Sequence, residues 1–81
     1  RGDAALEFGL AAPDRVEARI FDVSGRLVRT LADRRFAAGT HRLVWDGTDE
    51  QGRMLARGVY FTRLRYAERG FTSAKKLIVL R

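Results

Sequence analysis

Hydrophobic and polar residues alternate with a period of two along most of this chain, the spacing of extended strands whose successive side chains point to opposite faces. Between Ala5 and Leu10 the residues Leu6, Phe8 and Leu10 share a face, and Ala11-Ala12-Pro13-Asp14 then turns the chain, with φ fixed at Pro13. From Arg15 to Val23 the trio Val16, Ala18 and Ile20 opposes Arg15, Glu17 and Arg19, as in a sheet with one solvated side. Ser24-Gly25 predicts a tight hairpin into a third strand, Arg26 to Ala32, which carries Leu27, Val28 and Leu31 and pairs antiparallel with the second.

A turn at Ala37-Ala38-Gly39 precedes a fourth strand in which His41, Leu43 and Trp45 alternate with Arg42, Val44 and Asp46. Trp45 is the leading core candidate. Asp46 to Gly52 reads as a polar, glycine-flanked loop and Arg53 to Arg57 as a short connector. Gly58 opens a long strand, Val59 to Glu68, whose Tyr60, Thr62, Leu64 and Tyr66 face is expected inward, opposite Val59, Phe61, Arg63 and Arg65. Arg69-Gly70 turns into a last strand, Phe71 to Leu80, ending in Leu77-Ile78-Val79-Leu80, apolar on both faces. No long window keeps helical spacing. The expected fold is all-β: an antiparallel sandwich of Ig-like or fibronectin-like architecture with about six to seven strands.

At 81 residues the chain has room for one domain, spanning 1–81. Such a domain buries about 60% of the surface its unfolded form exposes. With 46% hydrophobic and 32% charged residues it is an ordinary globular composition. No apolar run approaches the roughly 18 residues of a membrane-spanning helix. The chain opens on Arg1 with no signal-like segment, so we read it as a piece of a larger protein, its C-terminal domain. The absence of cysteine removes disulfides, thiolate zinc sites and cysteine nucleophiles together. A formal charge of +6 attracts nucleic acid, anionic lipid or acidic polysaccharide at low salt.

Individual motifs have simple readings. Asp46, Asp49, Glu50 and Gln51 offer oxygen ligands of the kind calcium takes, but without the spacing that wraps a chain around the ion; Asx turn chemistry accounts for them, as it does for Asp22 before Ser24-Gly25. His41 stands alone, which predicts no metal site and packing beside Leu43. Neither Ser24 nor Ser73 has the setting of a nucleophile, and the eight glycines sit at turns instead of cradling phosphate, so neither an active site nor a cofactor is expected. Arg1-Gly2-Asp3 matches the integrin-binding tripeptide by coincidence at a terminus. Phe61, Arg63 and Arg65 share a strand face that could stack bases and neutralise phosphates, although solvated arginines explain the same pattern and nucleic acid is not the favoured partner.

The ordered series Phe21-Asp22-Val23-Ser24-Gly25-Arg26-Leu27, Ala38-Gly39, Trp45-Asp46-Gly47-Thr48-Asp49, Gly52 and Gly58-Val59-Tyr60-Phe61 resembles the Ig-like domain first associated with the flagellar hook-capping protein. Gly58-Val59-Tyr60, Gly70 and Lys75-Lys76-Leu77-Ile78-Val79 are also similar to the C-terminal sorting domain of type IX secretion, although the Tyr-Pro-Asn-Pro-like opening of that family is missing. The sorting resemblance implies a non-catalytic module read by an export and anchoring apparatus and displayed outside the cell or at its surface, with Gly58 and Tyr60 shaping entry to the fifth strand and Lys75, Lys76, Leu77, Ile78 and Val79 presenting the recognised edge. The hook-capping resemblance implies a structural module that packs against neighbouring domains or further copies. Charged residues guarding a hydrophobic edge strand against aggregation give Lys75 and Lys76 a third reading.

Overall fold

The period-two pattern forms the strands it predicts. The computed structural model describes residues 4–80, so the Arg1-Gly2-Asp3 tripeptide and Arg81 lie outside the described residues. Six strands run in the order β1 (Ala4–Leu10), β2 (Asp14–Phe21), β3 (Leu27–Phe36), β4 (Gly39–Trp45), β5 (Gly58–Tyr66) and β6 (Phe71–Val79). They build two sheets, a small one of β1 and β4 and a large one in the order β3-β2-β5-β6, with every pairing antiparallel. Among these residues no helix is long and apolar enough to cross a membrane.

The inward faces are those the alternation marks: Val16, Ala18 and Ile20 on β2, and Tyr60, Thr62, Leu64 and Tyr66 on β5, are all buried. They form two packed groups. In the first, Leu6, Phe8 and Leu10 of β1 lie on Val16, Ala18, Leu64 and Tyr66, and the Phe8 ring meets Phe36 edge-on with centroids 5.2 Å apart. In the second, Trp45 packs with Ile20, Val28, Tyr60 and Val79, its ring edge-on to Tyr60 at 5.5 Å. A buried indole N–H needs an acceptor, and Trp45 Nε1 donates to the carbonyl of Thr48 at 2.9 Å. The Tyr60 hydroxyl likewise donates to Ala56 O at 2.6 Å.

At the opposite end a single carboxylate joins two turns. Asp14 is buried, and its Oδ1 accepts the Glu68 N–H at 2.8 Å, while Ala67 N–H donates to Arg15 O at 2.9 Å. The β5–β6 turn is thereby tied to the start of β2.

Three details differ from the sequence expectation. The third strand continues past Ala32 to Phe36, because Asp33, Arg34 and Arg35 pair with Glu17, Val16 and Arg15 and the buried Phe36 anchors the end. Register shifts at Ala18/Arg19 and Ile20/Phe21 bulge the β2–β3 pair, leaving Leu27 exposed and Val28 buried. His41 packs against Phe8 and Phe36, with centroids 5.4 and 5.0 Å away, rather than simply beside Leu43; its Nε2 lies 2.7 Å from Ala37 O. Those rings belong to β1 and β3, which the spacing within β4 could not reveal.

Truncating the 1%-exposed indole leaves a cavity between the sheets. Trp45→Ala is expected to lower the free energy of unfolding in urea by about 3–5 kcal/mol, while Ile78→Ala on the outside of β6 changes it by no more than about 0.5 kcal/mol.

Candidate interaction surface

Two loops share one construction. Asp22-Val23-Ser24-Gly25-Arg26 and Asp49-Glu50-Gln51-Gly52-Arg53 both read Asp-x-x-Gly-Arg, a repeat that the residue-by-residue reading passed over although it is visible as letters. In the first, Asp22 Oδ1 accepts from the N–H of Ser24 at 2.9 Å and of Arg26 at 3.0 Å. In the second, Asp49 Oδ1 accepts from Gln51 at 2.9 Å and Arg53 at 3.0 Å. Both loops close with a backbone bond from glycine to the aspartate carbonyl, and both glycines hold positive φ, 89° at Gly25 and 80° at Gly52, which a side chain resists. The arginine returns to the second carboxylate oxygen, loosely at 3.5 Å from Arg26 and closely at 2.9 Å from Arg53.

These bonds hold the carboxylates ionised. The Ser24 hydroxyl and the Arg26 N–H keep the Asp22 pKa below its ordinary value, and the Arg53 and Gln51 N–H groups do the same for Asp49. Asp46 is lowered by the hydroxyl and N–H of Thr48. Of the oxygens considered for calcium, those of Asp46 and Asp49 already bind their own loop and that of Glu50 binds the Thr30 N–H of β3, and among the described residues no cluster of three or more His, Cys, Asp or Glu side chains is suited to a metal.

The outer face of the large sheet does bring Phe61, Arg63 and Arg65 together, as the alternation requires. Each is already in contact with a neighbour or a cross-strand partner. Arg65 pairs with Glu17 Oε2 at 3.2 Å, Glu17 also binds Arg19, and Arg19 and Arg15 meet Asp33 at 3.5 and 2.8 Å. Hydrogen bonding to Arg19, with the charges of Arg19 and Arg65, keeps the Glu17 pKa low. Arg63 stands over the Phe21 ring at 4.7 Å, and Phe61 lies opposite Phe21 across β2 and β5. One end of this face is a mixed-charge lattice; the other, around Phe61 and Ile78, is apolar and exposed.

The residues singled out by the sorting resemblance fall into two sets. Tyr60 and Val79 are core side chains, 8% and 1% exposed, and Leu77 is half-buried against the same group, so they hold the sandwich together and cannot be presented to a partner. Lys75, Lys76 and Ile78 are exposed on β6, an edge strand of the large sheet. Gly58 enters β5 opposite Val79 with φ at 149°.

Six antiparallel strands in two facing sheets define an Ig-like β-sandwich. The family model described as the FlgD Ig-like domain matches residues 1–70, and the chain belongs to that family. It is 43% identical over 47 residues to the basal-body rod modification protein FlgD of Salmonella typhimurium (strain LT2), a stretch covering 58% of this chain and 20% of that protein. The chain thus matches about a fifth of the length of its curated relatives. Among solved structures, FlgD of Xanthomonas campestris, described in terms of hook capping essential for flagellar assembly, superposes with a TM-score of 0.71 at 29% identity, over 96% of this chain and 57% of that one. FlgD of Pseudomonas aeruginosa gives 0.72 at 22% identity, over 95% and 60%. PorZ, a surface component of the type IX secretion system of Porphyromonas gingivalis, gives 0.63 at 15% identity, over 96% and 12%, a likeness of fold alone.

The turn carboxylates set an acid limit. Their folded-state pKa values lie below the unfolded ones, so their stabilisation is complete above about pH 4 and fades as pH falls through the folded values. The melting temperature is expected to drop between about pH 6 and about pH 3, and to drop less in an Asp22→Asn/Asp49→Asn variant; equal drops in calorimetry would remove these groups as the cause.

Proposed function

We propose that this chain is a non-catalytic structural module of an exported assembly, holding neighbouring protein domains in place outside the cell or at its surface. The observation that carries the reading is the match of residues 1–70, which hold the first five strands, to the FlgD Ig-like domain. The chemistry agrees with it. Carboxylates of the loops bind their own backbone, and those of the outer sheet face bind arginines, so the acidic groups serve as scaffold. The test is a chimera in which this chain replaces the matching segment of the Salmonella protein. Hooks counted by electron microscopy should form at a level well above the deletion, and a chimera that is exported and folded yet builds no hooks would overturn the reading.

A second reading is a sorting and anchoring module, supported by the exposure of Lys75, Lys76 and Ile78 on an edge strand. It predicts that a fused reporter reaches the surface of a host with type IX secretion and that a folded Lys75→Ala/Lys76→Ala version stays in the periplasm. Display of both alike would remove those lysines from the signal.

A third reading, polyanion binding by Phe61, Arg63 and Arg65, is disfavoured by the Glu17 and Phe21 contacts that occupy both arginines. Arg63→Ala and Arg65→Ala are expected to leave the salt dependence of binding to single-stranded DNA nearly unchanged, where loss of phosphate contacts would flatten it.

A further inference from the structure

The large sheet has two outer edges, and among the described residues only one of them is covered. Along β3 the loop after β4 lies against the edge: the Thr30 N–H donates to the Glu50 carboxylate, and Arg29 donates to Thr48 Oγ1 at 2.7 Å and to Asp49 O at 3.0 Å. The pairing of β3 is also broken by two register shifts. β6 has neither protection. It runs from Phe71 to Val79 in unbroken register with β5, contains no proline, and among the described residues no loop or side chain binds its outer edge. Lys75 turns its carbonyl toward β5, where Thr62 Oγ1 donates to it at 3.3 Å. Backbone groups alternate sides along a strand, so the N–H and C=O of Ala74, Lys76 and Ile78 point outward, unpaired.

Charge decides what can pair there. Lys75 and Lys76 are exposed, form no ion pair among the described residues, and share a strand with no acidic residue. Lys75 is the midpoint of Phe71–Val79, so an antiparallel pairing of two β6 strands centred there sets the Lys75 side chains of the two copies directly opposite each other, with Lys76 opposite Ala74, an arrangement that like charges oppose. A third cation, Arg63, lies across from Ala74 on the outer face with Lys76, while Lys75 is on the opposite face with Thr62. Glu7, the carboxylate across the groove from Lys75, is paired with Arg42.

We infer that the free edge of β6 is a strand-addition site for an extended segment of another protein that carries two consecutive acidic residues opposite Lys75 and Lys76 and an apolar residue opposite Ile78, while the same two lysines exclude pairing between copies of this chain. In an antiparallel addition the apolar residue precedes the acidic pair by two positions. It lies on the outer face with Ile78 and Phe61, and backbone hydrogen bonds supply the rest of the affinity. This goes beyond the structural-module reading and does not depend on it, since it concerns a binding edge of the isolated chain.

The experiment is an amide NMR titration of the 81-residue chain with a capped Thr-Val-Thr-Glu-Glu-Thr-Val-Thr peptide and its Lys-Lys counterpart. The acidic peptide is expected to shift and protect the amides of Ala74, Lys76 and Ile78, with the basic one weaker by about tenfold or more, and Lys75→Glu/Lys76→Glu is expected to reverse that order. Sedimentation supplies the second arm: wild type stays monomeric while Lys75→Thr/Lys76→Thr dimerises. The inference is overturned if the acidic peptide leaves β6 unshifted, if the shifts map to another edge or to the Arg63 and Arg65 face, if the order does not reverse, or if the threonine variant remains monomeric.

Discussion

A sheet of two strands has to be held over a sheet of four, and toward the Gly58 end of β5 that contact centres on the Trp45 indole. It reaches from β4 onto Ile20, Tyr60 and Val79, side chains of three strands in the opposing sheet. Its N–H is answered by Thr48, so the same ring that joins the sheets also fixes the start of the loop after β4. That loop places Glu50 and Asp49 against β3 and closes one edge of the large sheet. Packing, loop conformation and edge protection follow from one buried side chain with one polar atom.

The charges divide between those that serve the fold and those left over. Aspartates at the heads of the two Asp-x-x-Gly-Arg loops are satisfied locally, and Glu17 and Asp33 stitch β2, β3 and β5 across the solvated face. This is why an arginine-rich face that looks suited to phosphate in the sequence is largely neutralised in the molecule. On β6 the balance differs, since Lys75 and Lys76 have no acidic counterpart on their strand. Positive charge at this edge is therefore not balanced within its own strand.

Much of the fold was legible because one face of the sheet is wet, which makes the alternation of Val16, Ala18 and Ile20 with Arg15, Glu17 and Arg19 unmistakable. The inward set on β5 was legible for the same reason. What escaped was whatever depends on a partner strand. The extension of β3 through Asp33, Arg34 and Arg35 has no hydrophobic signature, because Asp33 is held by Arg15 and Arg19 of β2, Arg34 by the Phe36 ring and Arg35 by Glu68 of the β5–β6 turn. The two bulges displace Leu27 and Val28 without changing their letters, and the setting of His41 is supplied by Phe8 and Phe36 from elsewhere in the chain. For the candidate site, the sorting resemblance placed Tyr60, Val79 and Ile78 together; the structure separates them, because only the sheet order tells a residue that faces the core from its neighbour that faces water.

The pairing of β1 with β4, and of β2 with β5, has a kinetic side. Only β2–β3 and β5–β6 join neighbouring strands through short turns; β1 must wait for β4, and β2 for β5, each across a long stretch of intervening chain. Closing such loops is slow because their entropy is lost before the contacts form, so folding belongs in the millisecond-to-second range of sandwich domains. Until the first and fourth strands meet, the two hairpins have no lid, and the side chains that will surround Trp45 remain in water. Topology thus makes the joining of distant strands, β1 to β4 and β2 to β5, slower than the closing of either hairpin.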